Sequence, residues 1–130
     1  MIYTSRYSNP ELRSGNYTAV RISIGTPRWD IGFPLVGEIK DLMPFGLLDV
    51  EDSAIFKARY FEMLNKKGVA RIKNQLQKFE TLGKPVVLLC YEDIRKGDSN
   101  WCHRTMFAEW WFNQTGEKIF ELVDNSKFKK

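Results

Sequence analysis

Both cysteines of the chain and its only histidine lie between residues 90 and 104, and their spacing points first to thiol chemistry. Cys102 stands near the expected start of a helix, beside His103 and Arg104, in an environment that favours the nucleophilic thiolate. Glu92 could orient His103, which would complete a catalytic Cys–His–carboxylate set in outline. Adjacent side chains on a helix point about 100° apart, so Cys102 also has a second interpretation, as a small apolar residue packed under the helix start.

The same helix start offers a second chemistry, the recognition of an anion. Its first backbone N–H groups have no intrahelical acceptor, and the helix dipole makes that end positive. Arg104 adds a planar donor for phosphate or carboxylate, and Arg6 and Arg28 each follow a predicted strand. If these strands run parallel to the central one, the three guanidinium groups converge on one edge of the sheet. The alternative is that each arginine is paired with a carboxylate such as Glu92 or Asp93.

Metal binding and disulfide formation are two further uses of the thiols. Cys90, Glu92, Cys102 and His103 are possible metal ligands. The cysteine spacing matches no recognised zinc motif, however, and paired C-x-x-C motifs are absent. We therefore expect no metal and no cofactor. A reversible Cys90–Cys102 disulfide is conceivable if the intervening loop folds back.

The candidate site is positioned by a predicted central strand and the helix that follows it. Residues 86–89 form a continuous apolar run after Gly-Lys-Pro, which is typical of a strand buried on both faces of a mainly parallel sheet. A polar loop over 94–100 leads to a helix expected from about 101 to 115. Open α/β sheets bind ligands between the carboxyl end of a strand and the start of the next helix. We therefore expect the site at the carboxyl edge of the sheet.

The rest of the chain predicts a single α/β domain over residues 1–130. Asn9 and Pro10 indicate the start of a short helix, and Asp52 or Ser53 can cap a longer one. Residues 30–50 are predicted to form an ordered loop with a helical turn around 38–42. This loop either lies across the carboxyl edge of the sheet and shapes a pocket, or serves only as a packed connector. The remaining strands are expected at 2–4, 17–24 and 118–123, the remaining helices at 53–67 and 69–82, and a frayed basic tail at 124–130.

Composition limits the class of protein and of partner. The 130 residues are 43% hydrophobic and 28% charged, which describes a soluble globular domain. No signal peptide is recognised and no apolar run approaches the length of a membrane span, so we expect no membrane partners. Two cysteines are too few for a disulfide framework, so we expect a cytoplasmic protein. The net charge of +4 leans toward anionic partners. Arg71, Lys73 and Lys78 lie on the outer face of a predicted helix, as a nucleic-acid surface or simply as a solvated face.

The segment LLCYED…WCHRTMFAEWW resembles the domain-of-unknown-function family 488 (DUF488), in which a strand ending LLC-x-E is followed by CHR at a helix start. The matching residues are Leu88, Leu89, Cys90, Glu92, Cys102, His103, Arg104 and Ala108. The opening IYTSRYS is similar to the family's YTIGHS, with Arg6-Tyr7 in place of Gly-His. Pro27 matches the proline of the family's DVR-x-x-P. The acidic and basic pair of that motif is missing here, and Arg28 is expected to stand in for its arginine. The resemblance implies a three-layer α/β/α fold with a mostly parallel, Rossmann-like sheet, and it implies no reaction.

Three functional hypotheses follow. The first is binding of a phosphate-bearing ligand, a nucleotide or a nucleic-acid end, by Arg6, Arg28 and Arg104. The second is a thiol-dependent enzyme or redox protein that uses Cys102, with His103 as base and Cys90 as resolving thiol. The third is a DNA-associated or protein-interaction module that works through the basic helices. The sequence does not decide whether the protein is an enzyme and gives no oligomeric state.

Overall fold

The computed structural model describes residues 1–126, which form five strands and three α-helices joined by loops and short 3₁₀ turns. The strands are β1 (Ile2–Arg6), β2 (Thr18–Arg21), β3 (Gly37–Glu38), β4 (Val86–Cys90) and β5 (Phe120–Glu121). The helices are α1 (Ser53–Lys67), α2 (Val69–Glu80) and α3 (His103–Thr115). The 3₁₀ turns occupy Pro10–Ser14, Lys40–Leu42, Ile94–Lys96 and Asp98–Asn100. The α-helices lie in two of the crossover connections of the parallel sheet, α1 and α2 between β3 and β4 and α3 between β4 and β5.

Strand β4 is the centre of the sheet, and all five of its residues are buried. The strand order is β3-β2-β4-β1-β5, and every pair of neighbours is parallel. Arg6 at the end of β1 is in register with Cys90 at the end of β4, and Arg21 at the end of β2 is in register with Leu89. The predicted central strand and parallel sheet are therefore confirmed. The carboxyl ends of β1 and β2 flank Cys90 on either side.

All three α-helices pack on one face of the sheet. Phe56, Leu76 and Phe107, from the three helices, share a buried cluster with one side of the sheet, whereas Tyr7 and Leu12 belong to the cluster on the other side. The connections from β3 to β4 and from β4 to β5 cross the sheet in the same direction. Because parallel crossovers are right-handed, connections in the same direction lie on the same face. The connections from β1 to β2 and from β2 to β3 run the opposite way and cover the second face.

The α/β fold class is thus confirmed, with the sheet as the middle layer between two coverings. The second covering consists of the Pro10–Ser14 turn and the loop after β2 rather than of α-helices. Asn9 caps that turn, as its sequence indicates. No helix in the described part of the chain is long and apolar enough to cross a membrane.

Several element boundaries differ from the sequence prediction. Strand β2 is shorter than the predicted 17–24, because the chain turns away after Ile22 donates its N–H to the Leu89 carbonyl. Strand β3 was not predicted, and the expected helical turn follows it as Lys40–Leu42. Helix α3 begins at His103 rather than near residue 101, because Cys102 is extended and forms its N-cap.

The carboxyl-terminal segment is more ordered than a frayed tail over 124–126. Asp124 accepts a hydrogen bond from Arg6 Nε at 2.6 Å, and Ser126 Oγ accepts one from Arg6 Nη2 at 2.6 Å. Residues 127–130, which carry the basic end of the predicted tail, lie outside the described residues. The segment after β5 is therefore bonded to the end of β1.

Helix α1 provides a test of the local rules that position the helical layer. Asp52 is its N-cap, and its carboxylate accepts hydrogen bonds from the backbone N–H groups of Ala54 and Ile55 at 2.9 and 3.1 Å. We expect Asp52→Ala to lower the free energy of unfolding by about 1 kcal/mol. Asp49→Ala, at a nearby exposed aspartate, is the control and should change it by less than about 0.5 kcal/mol. Equal losses in urea denaturation of the two variants would contradict the capping role.

Candidate functional site

Cys90 and Cys102 form a disulfide at the carboxyl edge of the sheet. Cys90 is the last residue of β4, and Cys102 precedes the first residue of α3. The loop between them folds back over the end of β4, as the sequence analysis required for a disulfide between these two cysteines. Both residues are nearly inaccessible, with 1% and 2% of their surfaces exposed. The disulfide therefore joins the centre of the sheet to the start of the helix that covers it.

His103 lies against Cys102 with one ring nitrogen oriented toward the sulfur. Its Nε2 is 2.7 Å from the Ile22 carbonyl oxygen. A carbonyl can only accept, so Nε2 carries the hydrogen and Nδ1 keeps its lone pair. Nδ1 lies 3.7 Å from Cys102 Sγ. The two side chains meet because Cys102 has extended backbone angles, with φ −140° and ψ 148°, so the 100° offset of neighbours within a helix does not apply.

His103 is uncharged at neutral pH. Burial lowers its pKa to about 4, and the nearby charge of Arg104 acts in the same direction, whereas the hydrogen bond to the Ile22 carbonyl opposes the shift. Among the described residues, no hydrogen bond joins Glu92 to His103. The expected Cys–His–carboxylate set is therefore not assembled, and a backbone carbonyl orients the imidazole instead.

Arg104 is fully buried and pairs with Glu121. Its Nη2 donates to Glu121 Oε2 at 2.7 Å, and its Nε donates to Oε1 of the same carboxylate at 3.1 Å. Thr4 Oγ1 donates to Glu121 Oε1 at 2.8 Å. The remaining fork of the guanidinium, Nη1, is 3.2 Å from Cys90 Sγ. Arg104 thus links α3 to β5 and β4 and places a positive charge against one sulfur.

The other arginines predicted for an anion site are placed differently. Arg6 donates to Asp124 and lies 3.8 Å from an oxygen of Asp93, so it is paired with carboxylates, which is the alternative that the sequence left open. Arg28 is exposed and is not among the residues that line the cavity beside the cysteines. Glu92 and the pair Cys102 and His103 do line this cavity.

The cavity beside the cysteines has a volume of about 450 Å³. Its wall is formed by the ends of β2 and β4, by the loop between β3 and α1, and by the start of α3. The predicted loop over 30–50 thus contributes to a pocket at the carboxyl edge, through Pro44 and Leu48 among others. Among the described side chains of the wall, those charged at neutral pH are Glu51 and Glu92, both exposed carboxylates. The wall therefore favours cations or neutral molecules over anions.

The position of this cavity follows from the topology. The chain leaves β2 toward one face of the sheet and leaves β4 toward the other, which opens a crevice between their carboxyl ends. A larger depression of about 660 Å³ lies between α1 and α3 and contains none of the predicted site residues. Of the predicted site residues, Glu92, Cys102 and His103 therefore line the smaller cavity, not the larger depression.

The loop between the two cysteines is held by Asp93 and Arg95. Asp93 Oδ1 accepts from the backbone N–H of Arg95 at 3.2 Å and from its Nε at 2.9 Å, and Oδ2 accepts from Nη2 at 2.8 Å. Arg95 Nη1 donates to the carbonyl oxygens of Asp124 and Ser126 at 2.8 and 2.7 Å. These bonds fasten the loop to the carboxyl-terminal segment. The hydrogen bonds from Arg95 lower the pKa of Asp93 to about 2, although its partial burial opposes the shift.

Two residues of this arrangement were not identified from the sequence. Glu121 neutralises Arg104, and the carbonyl of Ile22 orients His103. The signal for Glu121 was a carboxylate in the middle of the apolar strand segment 119–123. No sequence signal marks a backbone carbonyl, because every residue carries one.

The pair of Arg104 and Glu121 generates a stability prediction. Glu121→Gln leaves the buried guanidinium without its counter-charge, and we expect it to lower the free energy of unfolding by about 3 kcal/mol. Arg104→Met should also destabilise, and the double variant should lose clearly less than the sum of the two single losses. Glu109→Gln removes the exposed ion pair with Lys57 and is the control, with an expected change below about 1 kcal/mol. Additive losses in urea denaturation would show that the pair is not coupled.

Asp93 generates a prediction on pH dependence. Its folded-state pKa of about 2 lies below the ordinary value of 3.8, so the group stabilises the fold above about pH 4 and this contribution disappears as the pH falls through 2. We expect Asp93→Asn to lower the free energy of unfolding by about 1–2 kcal/mol at pH 7 and to match the wild type near pH 2. Asp49→Asn is the control and should differ little at either pH. A constant difference for Asp93→Asn from pH 7 to pH 2 would refute the assignment.

Comparison of the chain with protein-family models, with curated proteins and with solved structures found no match. The resemblance of the Cys90–Arg104 segment to DUF488 therefore stays a prediction. The chemistry of the site has to be inferred from its own geometry.

Proposed function

We propose that this domain is a thiol–disulfide redox protein in which Cys90 and Cys102 are oxidised and reduced reversibly. This is the second of the three hypotheses from the sequence. The observation that carries it is the placement of the bonded pair in the wall of a cavity, with Arg104 against one sulfur and the start of α3 behind the other. Both surroundings stabilise a negatively charged sulfur, which is the reactive and the leaving form in disulfide exchange.

Reduction proceeds through exchange with a small dithiol. A thiolate of the dithiol attacks Cys102 Sγ and forms a mixed disulfide, and the Cys90–Cys102 bond breaks with its electron pair on Cys90. The second thiolate of the dithiol then attacks the other sulfur of the same reagent, which is bonded to Cys102 Sγ, and expels Cys102 as a thiolate. The protein gains two electrons, and the reagent leaves as a disulfide. Oxidation by a small disulfide follows the same steps in reverse.

The surroundings of the two sulfurs support a different role for each cysteine. Arg104 Nη1, 3.2 Å from Cys90 Sγ, stabilises the negative charge when Cys90 leaves. Cys102 is the N-cap of α3, and its side chain does not occupy the backbone N–H groups of the first turn, so they can stabilise its thiolate. His103 Nδ1 can accept a hydrogen bond from the Cys102 thiol. Cys102 is therefore the residue that forms the mixed disulfide, and Cys90 is the resolving residue.

The burial of the sulfurs limits the partner. With only 1% and 2% of Cys90 and Cys102 exposed, a flat protein surface does not reach them, whereas a small molecule can enter the cavity. The carboxylates of Glu51 and Glu92 repel an anionic thiol at this entrance. The substrate class is thus a small neutral or cationic thiol or disulfide.

The other two hypotheses have less support from the geometry. A phosphate-bearing ligand would need Arg6 and Arg104, which already pair with carboxylates, and it would meet the acidic cavity wall. On the helical surface, Arg71 and Lys67 pair with Asp41, which reduces the net charge that a nucleic acid would encounter. Neither alternative accounts for the sulfur pair.

The test is reduction of the oxidised protein under native conditions. Dithiothreitol, which is uncharged, should reduce the disulfide without loss of near-ultraviolet circular dichroism. We expect the ratio of the rate of reduction of the protein to that of a model disulfide to be lower for an anionic thiol than for dithiothreitol. Free thiols are counted by alkylation and mass spectrometry. Reduction that occurs only at the rate of global unfolding in urea would show a purely structural disulfide and overturn the proposal.

Two matched variants test the assignment of roles. Cys90→Ser should form a stable mixed disulfide through Cys102 when it is treated with a small neutral disulfide. Cys102→Ser should form one more slowly through Cys90. The reverse order of the two rates would refute the assignment of Cys102 as the attacking residue.

A further inference from the structure

Three potential metal ligands meet at the redox pair. Cys90, Cys102 and His103 are all buried, and their ligand atoms lie within 4.8 Å of one another. In the oxidised protein the two sulfurs are bonded to each other, so their thiolates are not free to bind a metal. Reduction would release two thiolates beside an imidazole nitrogen. This set, two sulfurs and one nitrogen, is typical of thiophilic ions such as Zn²⁺.

His103 is oriented as a ligating histidine is. In metal sites, the second ring nitrogen of the ligating histidine usually donates its N–H to a carbonyl or a carboxylate, which fixes the tautomer. Here Nε2–H donates to the Ile22 carbonyl at 2.7 Å, and Nδ1 directs its lone pair to the side of the sulfurs. The tautomer that the backbone selects is thus the one that binding through Nδ1 requires.

The distance between one sulfur and the imidazole is close to that of a tetrahedral site. Bonds of about 2.3 Å to sulfur and about 2.05 Å to nitrogen place two tetrahedral ligand atoms about 3.6 Å apart. Cys102 Sγ and His103 Nδ1 are 3.7 Å apart. The two sulfurs would have to separate to about 3.8 Å after reduction, which rotation of the cysteine side chains can provide. A fourth position is left for water or for a molecule in the cavity.

The charges around the three ligands suit a cation. Two thiolates neutralise a divalent ion, and the charge of Arg104 is already balanced by Glu121. Arg104 Nη1 donates toward Cys90 Sγ, which is a supporting hydrogen bond to a ligand atom. Glu51 and Glu92 in the cavity wall attract a cation to the entrance.

We propose that the reduced protein binds a thiophilic divalent ion through Cys90, Cys102 and His103, and that disulfide formation releases it. This rests on the proposed reversibility of the disulfide. In the release step a small disulfide oxidises the two metal-bound thiolates, the sulfurs form one bond, the reagent leaves as two thiolates, and the ion departs with its charge unchanged. The domain is then a metal site controlled by the redox state of its own ligands.

The experiment uses Co²⁺ as a spectroscopic probe of the full chain. Reduced protein, freed of metal by a chelator and kept without oxygen, should bind one Co²⁺ with sulfur-to-cobalt charge-transfer absorption and the strong visible bands of tetrahedral coordination. Zn²⁺ should abolish these bands by displacement. The oxidised protein is the matched control, because it contains the same residues without thiolates, and it should show none of these bands.

A variant isolates the third ligand. Mutation of a residue that supports a metal ligand typically weakens metal binding by roughly 10- to 100-fold. His103→Gln removes a ligand itself, so it should weaken Co²⁺ binding by more than this. Near-ultraviolet circular dichroism checks that the variant is folded. The wild-type spectrum tests the proposal even if this variant does not fold. Native reduction without cobalt bands, or unchanged affinity in a folded His103→Gln protein, would overturn the metal site and leave the redox function standing. A disulfide that resists native reduction would overturn the redox function itself.

Discussion

The buried charge of Arg104 is the interaction on which the carboxyl edge of the sheet depends. A guanidinium without solvent is tolerated only where a carboxylate and well-placed acceptors replace water. Glu121 and Cys90 Sγ satisfy it from β5 and β4, and Thr4 on β1 holds the Glu121 carboxylate. Because Arg104 belongs to the first turn of α3, satisfying its charge also sets where that helix begins over the sheet. The meeting of Cys102 with Cys90 is a consequence of that position.

The second constraint is the crossover from β4 to α3. The chain has to leave the most buried strand, pass over its carboxyl end and enter a helix that covers the same face as the other helices. Asp93 and Arg95 hold this passage by bonding to each other and to the segment after β5. Cys90 and Cys102 stand at the two ends of the passage. The topology thus brings together two sulfurs that are 12 positions apart in the chain.

Local features were predictable from the sequence, whereas long-range pairings were not. The apolar run of β4 and the caps at Asn9 and Asp52 follow from patterns of a few neighbouring residues. Strand β3 has two residues, too few for any periodicity, and a Cβ at Gly37 would lie 2.7 Å from the Phe79 ring, which would then have to move. From the sequence, residues 30–50 were therefore predicted as a loop with one helical turn and no strand. The placement of every α-helix on one face also depends on strand order, which no local pattern encodes.

The same distinction explains the candidate site. The sequence singled out residues 90–104, and Glu92, Cys102 and His103 of this segment line one cavity. It assigned Arg104 to a ligand because its partner Glu121 is brought close only by the pairing of β1 with β5. It expected the side chains of Cys102 and His103 to diverge because it treated both as helical. One residue of extended backbone at the N-cap reverses that geometry.

The features that indicated an anion site remain physically sound, although the anion need not come from outside. A helix start and a guanidinium stabilise negative charge whatever atom carries it. A phosphate would bring that charge into the cavity past Glu51 and Glu92. A thiolate that the proposed reduction forms at Cys90 or Cys102 would need no entry from outside, because Cys90 Sγ lies beside Arg104 and Cys102 lies at the start of α3. The electrostatics of this edge are therefore better matched to sulfur anions of the chain itself than to a phosphate that has to enter.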